Sequence, residues 1–261
     1  MKQKEEYRHL KKLWKKMQHH FKEFTRSEAP EELHQFRVQV KKIRSFLTLL
    51  ETNDKNKQLL ETFKPVKKVF KSAGIARDAF LHQQEAKEHK VNLPEFYKEQ
   101  DNIQKKEMRK LVSKRKKYLK KMKQVKRELK LHLHSVTDNE IRTFFTTQLH
   151  NTHNLLSRHD FNEQLHEGRR MLKHLMYNES VAHDEIGKDL NINFAYINEL
   201  QEVLGKWHDN KLTLTFFSKK KLSNKDTDSM KAKNSELQKA ITEKAQGFKQ
   251  KIKAERHPNS E

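Results

Sequence analysis

Leu33-His34-Gln35-Phe36-Arg37 reappears as Leu165-His166-Glu167-Gly168-Arg169, 132 positions further along the chain. Lys41 then matches Lys173 at the same offset. A second pair of segments, Gly74-Ile75-Ala76-Arg77-Asp78 and Gly205-Lys206-Trp207-His208-Asp209, repeats at an offset of 131. His34 to Asp78 spans 44 positions and His166 to Asp209 spans 43. Two separate matches at nearly one offset arise by chance far less readily than either alone. The chain therefore reads as a duplicated unit, residues 1–95 and 135–261, joined by a basic segment at 96–134.

Around the repeats almost everything reads as helix. Residues 3–24 place Leu10, Leu13, Met17, Phe21 and Phe24 on one stripe, and spacings of three and four predict an amphipathic helix. Pro30 opens the next helix, with Glu31 and Glu32 in its first turn, where carboxylates suit the helix dipole. Asn53 and Asp54 predict a turn. Residues 56–71 follow, with Pro65 inside or splitting the helix. Gly74 is expected to interrupt, and 75–90 to resume. From Lys105 to Lys130 fourteen Lys or Arg accompany two Glu, on one long helix or two joined ones over 95–134. Thr137 with Glu140 fits a capping box for a helix reaching His159. Helices over 161–178 and 193–217 come next, the second expected to break near Gly205. Residues 218–233 are polar and expected to be mobile, ahead of a last helix over 234–255.

Composition narrows the function classes. The 261 residues include 57 Lys+Arg, 35 Asp+Glu and no Cys, for a formal charge of +22 at pH 7. Without cysteine there is no disulfide scaffold, thiolate zinc site or cysteine nucleophile. Five Gly and four Pro exclude turn-rich all-β and linker-like sequences. No stretch approaches the roughly 18 apolar residues of a membrane span, and the N-terminus shows no apolar signal region. A cytoplasmic, all-α protein without a membrane partner is the expectation. So large a charge repels itself in a compact state, and a polyanion is the simplest neutraliser.

The repeated helix shows where such a partner would bind. At about 100° per residue, His34, Arg37, Lys41 and Arg44 fall within a sector of roughly 80°. The apolar positions Phe36, Val40, Ile43, Leu47 and Leu50 centre roughly 120° away. The cations therefore border the core. His166, Arg169 and Lys173 form the same strip in the second copy. Arg offers a planar fork to phosphate, Lys a point charge and His a donor that can gain charge. A salt-bridged solvent face is the ordinary fate of such residues, and the recurrence in both halves favours an anion site.

At these residues the sequence resembles the CHAD domain (conserved histidine α-helical domain). The family motif is roughly H-x-x-R-x-x-x-K/R-K/R-x-R in each half, with a Gly-x-x-Arg-Asp-like segment about forty residues later. His34, Arg37, Lys41, Lys42 and Arg44 fit the first motif, and Gly74 to Asp78 the second. The other half fits at His166, Arg169, Lys173 and Tyr177 and departs at His174, Met176 and Gly168. The Gly205–Asp209 segment is similar to the second Gly-to-Asp segment. The resemblance implies a single CHAD-like domain over 1–261, two helical bundles related by internal pseudo-two-fold symmetry, and a basic central groove that binds inorganic polyphosphate without catalysis. It also implies association with polyphosphate granules. The binding residues carried over are His34, Arg37, Lys41, Lys42, Arg44 and Arg77, then His166, Arg169, Lys173 and His208, with the second half-site weaker. No cofactor is implied. The E-x-E-x-K signature of the triphosphate-processing domain that accompanies some members is missing, which fits a stand-alone member.

Two other function classes compete on the residues. The charge permits nucleic-acid binding, but no RNA-recognition motif, zinc finger or clear helix-turn-helix is present, so nucleic acid is expected to be a weaker competitor. An enzyme would need more than the His132/His134 and His150/His153 pairs. No H-E-x-x-H motif, P-loop or nucleophile elbow accompanies them. Trp14 and Trp207 are expected to pack in the core, and Asp78 and Asp209 to cap or pair with a cation there.

Overall fold

The computed structural model describes residues 1–88, 93–157, 161–185, 191–217 and 224–253. Helices α1 to α11 and one short 3-10 turn carry nearly all of them, and the fold is all-α. The chain forms two compact units, Met1–Glu140 and Ile141–Glu261.

In the first unit, α1 (Gln3–Ser27) and α2 (Pro30–Leu50) form a hairpin, with Pro30 at the first helical position. Its missing N–H would be unsatisfied there in any residue. α3 (Leu59–Glu88) packs on α2, and α4 (Pro94–Ser113) and α5 (Arg115–His132) pack on α3. The predicted stripes make most of the core: Leu10, Met17, Phe21 and Phe24 of α1 are fully buried, as are Phe36, Ile43 and Leu47 of α2, while Leu13 is half-buried and Trp14 beside it is fully buried. Trp14 meets the Phe63 ring edge-on at 5.9 Å, and Phe21 lies 5.2 Å from Phe36.

Residues 96–134, expected to connect the two halves, fold within the first unit as α4 and α5. The strand-like segment after α5 is tied to it by hydrogen bonds. Buried Asn56 donates through Nδ2 to the carbonyls of Leu50 (3.0 Å) and His134 (2.8 Å) and accepts from His134 N (2.9 Å). The buried Glu6 carboxylate accepts from Val136 N at 2.7 Å, and the N-terminal amine donates to Val136 O at 2.8 Å. A buried polar group without such a partner would cost about 1–3 kcal/mol, so these bonds fix the segment to α1 and the α2–α3 turn.

The second unit holds most of α6 (Asp138–Leu156), then α7 (Glu163–Tyr177), α8 (Glu179–Glu185), α9 (Phe194–Phe217), α10 (Asn224–Ala245) and α11 (Phe248–Lys251). α9 is central, with α7 and α10 packed against it. Trp207 is buried and meets Phe161 edge-on at 5.7 Å. The α6 start carries the predicted capping box: Glu140 N donates to Thr137 Oγ1, and Thr137 N donates to Glu140 Oε2.

Three local expectations change. α3 runs unbroken through Pro65 and Gly74, and α9 through Gly205. Of the segment expected to be mobile, 218–223 lies outside the described residues, whereas Asn224–Lys233 begins α10. Met230 is buried there, and its carbonyl accepts from buried Asn210 Nδ2 at 3.2 Å. The ends of two other expected helices, 89–90 and 158–159, fall outside the described residues, as do 254–255.

Candidate anion-binding site

α2 presents His34, Arg37, Lys41 and Arg44 toward α3, which runs antiparallel to it. The register follows from what each residue meets. Arg37 meets Phe70 and Gly74, while Lys41 and Arg44 share a small cavity of about 180 Å³ with Lys64 and Lys67. His34 and Arg77 line a second cavity at the other end.

Arg37 is the pivot of this pair of helices. It is 9% exposed, its Nη1 donates to Phe70 O at 2.8 Å, and its guanidinium lies 4.2 Å from the Phe70 ring centre. Burial lowers its pKa to about 10, with nearby Arg77 acting in the same direction and Asp78 against it. It therefore stays charged at neutral pH while buried against α3. It sets the spacing between the two helices at Gly74 and adds a positive charge to the strip.

His34 sits where the strip's charges converge. Burial holds its imidazole below the usual 6.5; Arg77, Lys41 and Arg37 lower it further, and Glu31 opposes them. The free protein thus carries a neutral imidazole ringed by cations at pH 7. Lys42 is not on this side. Its ammonium, lowered by burial, feels Lys16 of α1, so it faces the other flank of α2. Asp78 is exposed and 3.8 Å from Arg77, and Asp209 is exposed too. The expected pairing of these carboxylates in the core does not occur.

Lys64 and Lys67 were not among the sequence candidates, although they line the small cavity with Lys41 and Arg44. Lys64 also pairs with exposed Glu61 at 2.5 Å, a solvated contact worth little. On a continuous α3, positions 64, 67, 74 and 77 share a face. They stand outside the repeated motif, and only the packing of α3 on α2 brings them to Lys41 and Arg44.

The second unit repeats the juxtapositions. Arg169 of α7 lies against Gly205 of α9 as Arg37 lies against Gly74: a Cβ at 205 would sit 3.0 Å from Arg169 Nη2, and one at 74 would sit 2.6 Å from Arg37 Nη1. His166 stacks on His208 with ring centres 3.9 Å apart and planes 23° apart. His208 occupies the place that Arg77 holds beside His34. Lys173 is half-buried on α7. Tyr177 is near enough for Arg169 to favour its phenolate, though burial pushes its pKa up. Gly168 stands where the first half has Phe36, and a Cβ there would make only ordinary contact with Leu155 at 3.8 Å.

The pattern of His and Arg on one helix against Gly and a cationic or imidazole side chain on another matches a known sequence profile, that of the CHAD domain, over residues 8–218. The chain belongs to the CHAD domain family. The crystal structure of the CHAD domain from the plant Ricinus communis is similar to it with a TM-score of 0.62 at 16% identity, over 91% of this chain and 89% of that one. At that identity the likeness is one of fold. No curated protein matches the chain. Among the described residues no group of three or more His, Asp or Glu is placed to hold a metal ion, and no helix is long and apolar enough to cross a membrane. Each unit thus has a helix pair spaced by an Arg–Gly contact, with the Arg buried in the first and half-buried in the second, and a His and a Lys of the motif on the same helix as the Arg.

Proposed function

We propose that the protein binds inorganic polyphosphate on these strips and acts by binding, not by turnover. The observation that carries this reading is the first unit's strip: Lys41, Arg44, Lys64 and Lys67 line one cavity together with Glu61, whose charge Lys64 offsets, and Arg77 and the neutral His34 lie beyond it. A linear polyanion laid along α2 and α3 would displace condensed counterions and accept charge-assisted hydrogen bonds from Arg and Lys. From residue 34 to 44 the strip is about 15 Å long at 1.5 Å per residue, so it takes several phosphates. A chain long enough to engage the strips of both units gains from effective concentration. On this reading the protein is cytoplasmic and gathers on polyphosphate granules.

Nucleic acid is the second reading, favoured by the exposed cations of α5, among them Arg115, Lys116, Lys117, Lys120 and Lys121. Against it, all 22 Phe, Tyr and Trp side chains are buried or half-buried, and a base-stacking platform needs exposed rings. Calorimetric titration at physiological salt separates the readings, with long-chain polyphosphate, pyrophosphate and duplex DNA as ligands. Tight binding of the long chain alone is expected. Equal binding of DNA would reduce the affinity to net charge and remove the assignment. Release of phosphate from long chains with Mg²⁺ would overturn the non-enzymatic part.

A further inference from the structure

The strip of the first unit ends in a cavity that a bare phosphate chain would not use. Its volume is about 460 Å³, within the roughly 300–1,000 Å³ of small-molecule pockets. Its wall is apolar, made by Leu33 of α2, Phe80 and Leu81 of α3 and Met108 of α4. His34 and Arg77 also line it, and Glu31 and Gln104 are its other polar side chains. Phe80 and Leu81 are half-buried, so part of their apolar surface faces the cavity. Phosphate oxygens gain nothing from such a wall, and the Glu31 carboxylate repels them. An uncharged planar group gains from both: apolar burial against the wall, and hydrogen bonds from the Gln104 amide, which donates and accepts. Glu31 accepts from Gln35 Nε2 at 2.6 Å, and a carboxylate has room to accept from a sugar hydroxyl or an amine as well.

Resting on the phosphate-strip reading above, we propose that this cavity seats the nucleoside head of a nucleoside polyphosphate, with its phosphates directed past His34 and Arg77 onto the strip. The ligand class of the first unit then includes nucleoside polyphosphates, and the head fixes the end from which the phosphate chain is laid down. The lysines beyond Arg77 serve the distal phosphates, so longer phosphate tails bind tighter.

The test is calorimetry on the full chain, comparing adenosine 5′-triphosphate with inorganic triphosphate, without Mg²⁺. The nucleotide has one ionisable oxygen fewer, so charge alone favours the inorganic ligand. A preference for the nucleotide of about fivefold or more is expected from burial of the base. Leu81→Trp, which fills the cavity, removes that preference and leaves inorganic triphosphate binding unchanged. Gln104→Leu, at a half-buried position, lowers that preference by removing the amide's hydrogen bonds without adding charge, leaves inorganic triphosphate binding unchanged, and stands in should Leu81→Trp fail to fold by circular dichroism. Equal or weaker binding of the nucleotide by the unaltered protein overturns the inference while leaving the phosphate strip intact. So does a preference that survives in the folded variants. Failure of both inorganic triphosphate and long-chain polyphosphate to bind would overturn the strip itself, and this inference with it.

Discussion

The guanidinium of Arg37 fills the space that a side chain at residue 74 would need, with a Cβ there only 2.6 Å from Nη1. Ala for Gly inside a helix normally stabilises by about 1 kcal/mol. Here Arg37 cannot withdraw, because the Phe70 carbonyl and ring hold it in place. Overpacking against so fixed a group costs about 2–3 kcal/mol, the upper part of the usual range, so Gly74→Ala is expected to lose about 1–2 kcal/mol net. Gly205→Ala meets Arg169 at 3.0 and 3.2 Å, a contact that a shift of a few tenths of an ångström relieves. It should fall within about 0.5 kcal/mol of the parent protein. Urea unfolding of both variants checks the contrast, and a Gly74→Ala protein as stable as the parent would show that Arg37 is not anchored.

That contact also explains what the sequence could and could not disclose. The apolar stripes of α1 and α2, the Pro30 start and the Thr137–Glu140 cap were legible because each is a local pattern. The His-Arg-Lys strip was legible because it recurs. Gly74 and Gly205 were misjudged as helix breaks: their reason is a side chain from another helix, which no local rule sees. Lys64 and Lys67 lie outside the repeated motif, and only packing across α2 and α3 marks them. Lys42 fits the family motif by position, yet its angle on α2 turns it toward Lys16. The place of α4 and α5 depended on Asn56 and Glu6 meeting residues 134 and 136, nearly 80 and 130 positions away in the chain.

Lys64 and Lys67 should matter to binding as much as the motif residues do. Each neutralised phosphate of a single strand contributes about 0.7 to the slope of log affinity against log salt. Lys64→Gln with Lys67→Gln should therefore lower that slope for long-chain polyphosphate by about 1.4 and weaken binding roughly tenfold at physiological salt. Lys42→Gln, on the other flank of α2, should change the slope much less. A salt series by fluorescence anisotropy decides it, and an unchanged slope in the double variant would take these lysines out of the site.

Affinity should also depend on pH through His34. Its pKa in the free protein lies below 6.5, held there by burial and by Arg77, Lys41 and Arg37. A polyanion reverses the sign of the local field and raises that pKa, so the complex binds a proton that the free protein does not. By linkage, affinity rises as pH falls from above 6.5 toward the free protein's lowered value, and levels off below it, where both states are protonated. The internal phosphates of a long chain stay ionised throughout. Calorimetry in buffers of different ionisation heat should show proton uptake on binding near pH 6.5, and His34→Gln should reduce it. Equal uptake in the variant would assign the proton to another histidine.

The second unit offers a gain-of-function test. His208 stacks on His166 at the place where the first unit has Arg77 beside His34. Neither of these stacked imidazoles carries a permanent charge. Arg at 208 keeps a planar face to lie on His166 and adds a permanent charge with a fork for phosphate. His208→Arg should raise the salt slope for long-chain polyphosphate by about 0.7 and the affinity by about threefold to fivefold at physiological salt. The gain should shrink for pyrophosphate, which offers fewer phosphates to neutralise. An unchanged affinity in a variant with the parent's melting temperature would mean that the His166–His208 face takes no part in binding, leaving the strip of α2 and α3 as the working site.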